Sequence, residues 1–492
     1  MTLNYISKPN AISSSKFQSS RSSLCPKDYR NLFSKSKISD TLLSDITNNQ
    51  FQGQEIGSDA YMKKSNYRFL KTVNITPRFT IDENSIEYCK PTNSHRPQNG
   101  DILIVKDGAG DGLGEVCLYN LLNKGSNDGI SAGILAINVN PEIRYYVLGL
   151  LKSKHFKDFI NLNTPEGSTI RHSKKIALSY PIIYPSKKNN EQPYSIIEYV
   201  SIIVQNIVDK ESQIKEKTLR VDEIINFELS KNKLKQSKIS LPKLNEIKSN
   251  QFRLDTGLYN ENYKKVINEI ENYSNGFFKI NSLKHKWISG CTPEVFIENE
   301  KGNFWWIAVG DLSYGLYYKH IKKFILKSPV QNIVKDGDIL ITRKGATVGK
   351  LNLFFEQDKL LAFVNEDLKV LRIDTELFNK VFIGLFLNNN HGQTQLLSKG
   401  SKGTKQGLTN PNITDCIVPN FPDELKVRIA REYHNPLKPN QNLNLENYLT
   451  SEVSRNTQLG IFELNMEVLT LRNKLGIIID KIIKEEKIDI EF

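Results

Sequence analysis

Seven residues, Gly345-Ala346-Thr347-Val348-Gly349-Lys350-Leu351, come within one position of a phosphate-binding loop. In such a loop backbone amides cradle a nucleotide, and a hydroxyl straight after the lysine holds magnesium. Here the spacing is one residue short and Leu351 stands where the hydroxyl belongs, so nucleotide binding is not expected. Gly108, Gly110, Gly112 and Gly114 miss the G-x-G-x-x-G spacing, and the residues after them read as a strand rather than a helix. Both runs are expected to be turns that follow a strand. Asp415, Glu424 and Lys426 imitate the carboxylates and lysine of a metal-dependent nuclease, but Pro419 and Pro422 interrupt the strand hairpin which that site requires. The seven histidines form no H-x-x-x-H or H-E-x-x-H array. There is also no Asn-Pro-Pro-Tyr or Asp-Pro-Pro-Tyr segment to hold a flipped base for amino methylation. No catalytic, cofactor or metal residue is expected.

What remains is cations on flexible backbone. Lys399, Ser401, Lys402, Lys405 and Gln406 are interleaved with Gly400, Gly403 and Thr404. The first half has a matching stretch at Gly167 to Lys175, with Arg171, His172, Lys174 and Lys175. Arg343, Lys344 and Lys350 surround the loop after a strand in the second half. Lysine and arginine supply phosphate donors, while serine and glutamine supply base-edge partners. A solvated charged loop is the plainer reading of any one cluster, and their recurrence in both halves favours contact with a duplex. The formal net charge of +13 and pI of about 9.2 agree with a polyanionic partner.

The elements that must carry these loops come twice. Gly100-Asp101-Ile102-Leu103-Ile104 returns 237 residues later as Gly337-Asp338-Ile339-Leu340-Ile341. The same offset aligns Phe69-Leu70 with Trp306-Ile307, Asn74 with Asp311, Lys106 with Arg343, and Gly108-Ala109 with Gly345-Ala346. Only two copies occur, so two similar domains are expected rather than a stacked array. Strands are expected over Asp101 to Val105, Glu115 to Tyr119, Ile134 to Val139, Asp338 to Thr342, Lys350 to Phe355 and Leu368 to Ile373. Helices are expected over Arg144 to Phe159 and Leu377 to Leu387, which makes each half a mixed α+β domain. Of the adjacent Trp305 and Trp306, one should enter the core.

Each domain is followed by a different pattern. Ile196, Val200, Ile203, Ile207, Ile214, Val221 and Ile224 recur at three- and four-residue steps, with Lys210 and Lys217 at two seam positions. Ile461, Leu464, Val468, Leu471, Leu475, Ile478 and Ile482 keep the pattern unbroken. Such a narrow seam needs a second helix, and the two helices are expected to pair as an antiparallel coiled coil. A helix of ~30 residues spans ~45 Å, somewhat more than the roughly 34–36 Å between half-sites read from one face of B-DNA. Cys25, Cys89, Cys117, Cys291 and Cys416 lie far apart, which supports neither zinc nor a disulfide framework and fits a reducing cytosol. No apolar run approaches ~20 residues, so no membrane span or membrane partner is expected. The N-terminus shows no signal-peptide pattern.

This order of domain, helix, domain, helix resembles the specificity (S) subunit of type I restriction-modification systems. Ile288-Ser289-Gly290-Cys291-Thr292-Pro293 resembles the Ser-Gly-x-Thr-Pro turn that opens a target recognition domain. Trp306-Ile307-x-x-Gly310-Asp311-Leu312 resembles the strand and turn that follow, and Gly337 to Gly345 the family's Gly-Asp-Ile-Leu strand and loop. Gly400-Ser401 through Leu408-Thr409, with Val418-Pro419, resembles the closing segment. The first half lacks a clear Ser-Gly-x-Thr-Pro turn and carries acids in its post-strand loop. The resemblance implies recognition domains at 1–190 and 241–435, with spacer helices at 191–240 and 436–492. It implies a non-catalytic, cytoplasmic prokaryotic subunit that reads a bipartite target in double-stranded DNA. The helices would dock two methyltransferase (M) subunits, which engage restriction (R) translocase subunits. S-adenosylmethionine, ATP and Mg²⁺ would sit on those partners. A coiled-coil scaffold that binds only protein, and a diverged standalone nuclease or methyltransferase, are the rival readings.

Overall fold

The computed structural model describes residues 41–492 apart from 84–85, 92–95, 121–126, 166–168, 232–241, 243, 250–255, 293–295, 300, 314, 327–331, 346, 358–359 and 401–406. The chain divides into two compact units. The first comprises Met1–Ser212, Pro439–Asn456 and Thr470–Phe492, the second Gln213–Lys438 and Thr457–Leu469.

In the first unit the strands are β1 (Thr47–Gln52), β2 (Tyr61–Met62), β3 (Tyr67–Leu70), β4 (Glu87–Cys89), β5 (Ile102–Val105), β6 (Asp107–Gly108), β7 (Val116–Leu118), β8 (Asn127–Ile130), β9 (Ile134–Val139) and β10 (Arg171–His172). They form a sheet in the order β1-β9-β5-β7, a second in the order β2-β4-β3-β8, and the small ladder β10-β6. β3 and β8 run parallel, and the other pairs are antiparallel. β5 is buried at all four residues, as a continuous apolar run covered on both faces should be. Leu103, Val105, Ile130, Ile134 and Ala136 meet Leu70 and Ile81 in one core.

The Gly-Asp pair explains itself at the start of β5. Gly100 has φ +95°, and the buried Asp101 accepts from Gln98 N at 2.8 Å and from Asn138 Nδ2 at 2.8 Å. Glycine takes the left-handed turn and the carboxylate closes it. The segment expected as one helix from Arg144 to Phe159 is two, α1 (Arg144–Leu151) and α2 (Lys154–Asn163). Ser153 breaks it: its hydroxyl accepts from Phe156 N at 3.2 Å as an N-cap. α3 (Pro193–Ser230) has 38 residues, about 57 Å at helical rise, with proline at its first position. The first unit holds it as far as Ser212, with Ile196, Val200, Ile203 and Ile207 buried.

The second unit repeats the plan. Its strands are β11 (Phe277–Lys279), β12 (His285–Ser289), β13 (Phe296–Glu298), β14 (Phe304–Ile307), β15 (Lys323–Leu326), β16 (Ile339–Thr342), β17 (Leu351–Leu353), β18 (Leu361–Val364), β19 (Leu368–Ile373) and β20 (Ile417–Pro419). The orders β12-β19-β16-β17 and β13-β15-β14-β18 match those of the first unit, with β14 and β18 again parallel. Gly337 has φ +77°, and Asp338 accepts from Lys335 N at 2.8 Å and Arg372 Nε at 2.7 Å. Trp305 is fully buried against Tyr318, and Trp306 is half-buried against Phe324. The helices here are α4 (Leu244–Ser249), α5 (Thr256–Tyr259), α6 (Glu261–Glu271), α7 (Leu377–Asn388), α8 (Asn390–Lys399), α9 (Asn410–Thr414) and α10 (Asp423–Tyr433).

α11 (Tyr448–Gln458) and α12 (Ile461–Lys484) complete the chain. A Cβ on Gly460 would lie 2.4 Å from Tyr433 O, so the chain leaves at the end of α10 and returns beside it before α12 starts. Between those points 439–456 belong to the first unit. There α11 packs on α3 through polar groups. Lys210 Nζ donates to Glu452 Oε2 at 2.9 Å and Asn456 Oδ1 at 2.6 Å, Asn456 Nδ2 to Asn206 Oδ1 at 2.9 Å, and Asn206 Nδ2 to Tyr448 OH at 2.8 Å. All five side chains are buried. In the second unit Lys217 Nζ meets Glu432 Oε2 at 3.0 Å. The two polar positions of the α3 seam are thus each answered by a glutamate of the same unit. Gly149 of α1 touches α3 and α12 together, with Val204, Val200 and Leu475 within 4 Å of its would-be Cβ. Of the seven α12 seam positions six are buried and Leu471 is half-buried.

Candidate nucleic-acid interface

In the second unit the backbone gathers four loops where β12, β14, β16 and β18 end. Cys291 N donates to Val364 O at 2.9 Å and Asn365 N to Ile307 O at 2.9 Å. Arg343 N donates to Asp367 O at 3.1 Å, and Leu408 N to Arg343 O at 2.9 Å, beside a bridge between Lys344 and Gly407. The first unit builds the same end from Gln54 N to Ile130 O (3.0 Å), Ser131 N to Leu70 O (2.9 Å), Lys106 N to Gly133 O (2.9 Å) and Ser173 N to Lys106 O (2.7 Å). Loops on a rigid strand frame are where recognition side chains are usually carried.

One element of that end escapes a reading of the first half by motif. Gly53 stands 237 residues before Gly290, and a Cβ on either would come within 1.9 Å of a carbonyl oxygen, Ile130 O or Asn365 O. The turn is therefore present in both units, and only its flanking Ser and Thr-Pro are missing from the first. The repeat offset itself was the signal.

The expected contact residues fall into different situations. Arg171 is half-buried, and its guanidinium donates to Asn161 Oδ1 (2.9 Å), Asn161 O (2.7 Å) and Thr164 O (2.8 Å), closing the end of α2. His172 is exposed, with Nδ1 3.0 Å from Asp107 Oδ1. Lys174, at φ +50°, and Lys175 are exposed on the same segment. Arg343 is half-buried and Lys344 exposed, next to one another after β16. Lys399 is half-buried at the end of α8 and donates to Asp415 O at 2.7 Å. Ser401, Lys402, Lys405 and Gln406 lie outside the described residues.

Lys350 corrects an expectation. It does not crown the loop: it is 5% exposed and donates to Leu312 O at 3.2 Å, and burial, then the charge of Lys319, lower its pKa. The reason is the left-handed turn at Gly349, φ +84°, which leads straight into the buried β17. Lys369 was not expected at all. It lies in β19 opposite Ser289 and Ile341 and donates to Ser289 Oγ at 2.7 Å. Its signal was available in Leu368-Lys369-Val370, a cation at the outward position beside a turn.

In the nuclease-like set, Asp415 Oδ1 accepts from Asn281 Nδ2 at 2.8 Å. Glu424 is exposed on α10, while Lys426 bonds Asp423 at 3.0 Å and Asn420 at 3.3 Å. Among the described residues no three His, Cys, Asp or Glu are grouped to hold a metal. No described helix is long and apolar enough to cross a membrane.

No protein-family model matches the chain, and no curated protein matches it. Among the solved structures similar to it is the S subunit of a type I restriction-modification system from M. genitalium, with TM-score 0.40 and 12% identity over 92% of this chain and 96% of that one. Another is the HsdS subunit from Thermoanaerobacter tengcongensis, with TM-score 0.26 and 15% identity over 90% of this chain and 96% of that one.

Proposed function

We propose that this protein is the DNA sequence-specificity subunit of a type I restriction-modification complex, acting in phage defence in a prokaryotic cytoplasm and performing no chemistry itself. One observation carries the reading. Both units bring the same loops to the same end of the same strand order, while the side chains on those loops differ. A constant frame with unlike readers is what two unlike half-sites of one target demand. The Gly-Asp corners at Gly100-Asp101 and Gly337-Asp338 are the frame's signature, and Lys174, Lys175, Arg343, Lys344 and residues 401–406 are the unlike DNA-contacting positions.

In this reading α3 and α12 pair as an antiparallel coiled coil that sets the spacing of the half-sites. Two M subunits dock on those helices and bring S-adenosylmethionine, and R subunits join through them with ATP and Mg²⁺. In vitro selection from random duplexes, with chain and M subunit together, tests it. Two short half-sites at one fixed spacing are expected, bound with strong salt dependence. Cleavage or methyl transfer by the chain alone, given DNA, Mg²⁺ and S-adenosylmethionine, would replace the reading with an enzyme. Absence of DNA affinity in both the presence and absence of M subunits would leave a protein-binding scaffold.

A further inference from the structure

Three cations at the loop end of the second unit have no carboxylate partner among the described residues. Arg343 and Lys344 follow β16, and Lys369 lies in the adjoining β19. Lys369 sits in one cross-strand row between Ser289 and Ile341, two residues from Arg343 along the neighbouring strand. Its ammonium is fixed by Ser289 Oγ at 2.7 Å. Burial, and then the positive charge of Arg343, lower the Lys369 pKa. Glu366 and Asp367 are exposed in the turn between β18 and β19, but Asp367 meets Arg343 through backbone only, Arg343 N to Asp367 O. Like charges held side by side repel, so a strand that keeps them together gains most when an anion arrives.

The register names the counterparts in the first unit. Leu135 pairs with Gln52 and Ile104, as Lys369 pairs with Ser289 and Ile341. Lys106 stands for Arg343 and Asp107 for Lys344. Lys106 Nζ is already bound to Asp107 Oδ2 at 2.7 Å, and the other oxygen of Asp107 faces His172. The same frame therefore holds an apolar side chain and an internal ion pair where the second unit holds three cations.

We propose that Arg343, Lys344 and Lys369 form a seat for the phosphodiester backbone of a DNA duplex, with no counterpart at the matching positions of the first unit, so that the two units hold DNA unequally. This rests on the DNA-binding reading above. Each phosphate neutralised by the seat releases condensed counterions on binding.

The test is the slope of log affinity against log salt, measured on the full chain with its M subunit and a duplex chosen by the wild type. Arg343→Met, Lys344→Met and Lys369→Met together should flatten the slope by about 0.9 for each phosphate that is no longer neutralised. Lys369→Arg should keep the wild-type slope. Lys106→Met should also keep it, because that charge is spent inside the protein. Urea midpoints confirm that each variant is folded. A folded triple variant with the wild-type slope overturns the seat while leaving DNA recognition intact. A wild type that binds no DNA at any salt overturns both.

Discussion

At the loop end of the first unit, Asp107 takes up Lys106 and faces His172, and Leu135 fills the strand position beside them. At the loop end of the second, Lys344 replaces the aspartate and Lys369 replaces the leucine, with Arg343 alongside. Backbone hydrogen bonds at the two ends correspond almost one for one. The difference teaches where the sequence is constrained. Buried corners such as Asp101 and Asp338 keep their residue types because each closes a turn that the central strand needs. At the far end of the same central strand, where Lys106, Asp107, Arg343 and Lys369 are half-buried and Lys344 is exposed, the charge changes between the units, since exchanging a side chain that reaches water shifts stability little.

The two units also differ in how they hold α3, and the first prediction tests that contrast. In the first unit Lys210 is 1% exposed, and its ammonium donates to Glu452 and Asn456. Glu452→Leu would take the paired carboxylate away from that buried ammonium and from the buried Arg455 beside it, an effect of about 3–5 kcal/mol. In the second unit Glu432 is shared by Lys217 and the half-exposed Arg220, so water can reach the site and Glu432→Leu should cost about half as much. Adding Lys210→Met to Glu452→Leu should recover most of the loss, because the unpaired charge goes with the lysine. Urea denaturation of the single and double variants measures this. A double variant as unstable as the single would mean that the ion pair itself, rather than the stranded charge, sets the stability.

A second prediction concerns a place where the units should behave alike. Gly53→Ala and Gly290→Ala each push a methyl group to 1.9 Å from a carbonyl oxygen of the neighbouring strand end. Each should cost about 1–3 kcal/mol, as overpacking at rigid backbone does. Equal losses would confirm that the first unit has the same opening turn despite its missing Ser and Thr-Pro. A neutral Gly53→Ala would separate the two turns.

Such corners were legible before the fold was known, and other features were not, for physical reasons. Ile134–Val139 and Leu368–Ile373 stood out as apolar runs long enough to cross a buried sheet. Two strands of the first unit's second sheet did not: Tyr61–Met62 has two residues and Glu87–Cys89 three, too few for any period to register. Composition also cannot say which way a lysine points. Lys350 and Lys369 look interchangeable in a basic stretch, yet a left-handed glycine aims one into the core and strand alternation turns the other outward. The excursion between Tyr433 and Gly460 was hidden for a related reason. Its helix α11 packs through Tyr448, Glu452 and Asn456, which read as surface residues until Lys210 and Asn206 of α3 are placed opposite them.

The smallest expected effect sharpens the comparison along α3 itself. Asp209, in the half that belongs to the first unit, is pushed up to about 6 by burial, against the pull of Lys210. Asp222, in the other half, is raised by burial too, but Asn389 Nδ2 donates to it at 2.6 Å and His391 lies near, and both draw it back. For Asp209 the sign follows from proton counting. Between its ordinary value and about 6 the folded protein keeps the proton that the unfolded chain has released, so stability falls as pH rises through that window. Above it the penalty is complete. Asp209→Asn removes the ionisation, and because the half-buried group is partly screened by water the gain at pH 7.5 should be roughly 1–2 kcal/mol. At pH 4.5 most of that gain should vanish, because the wild-type carboxyl is then already neutral. Asp222→Asn should gain less at either pH, since the bond from Asn389 favours the charged form. Urea midpoints at the two pH values decide it: an Asp209→Asn gain independent of pH would show that the amide improves packing and that the carboxylate of the first unit carries no buried charge at neutral pH.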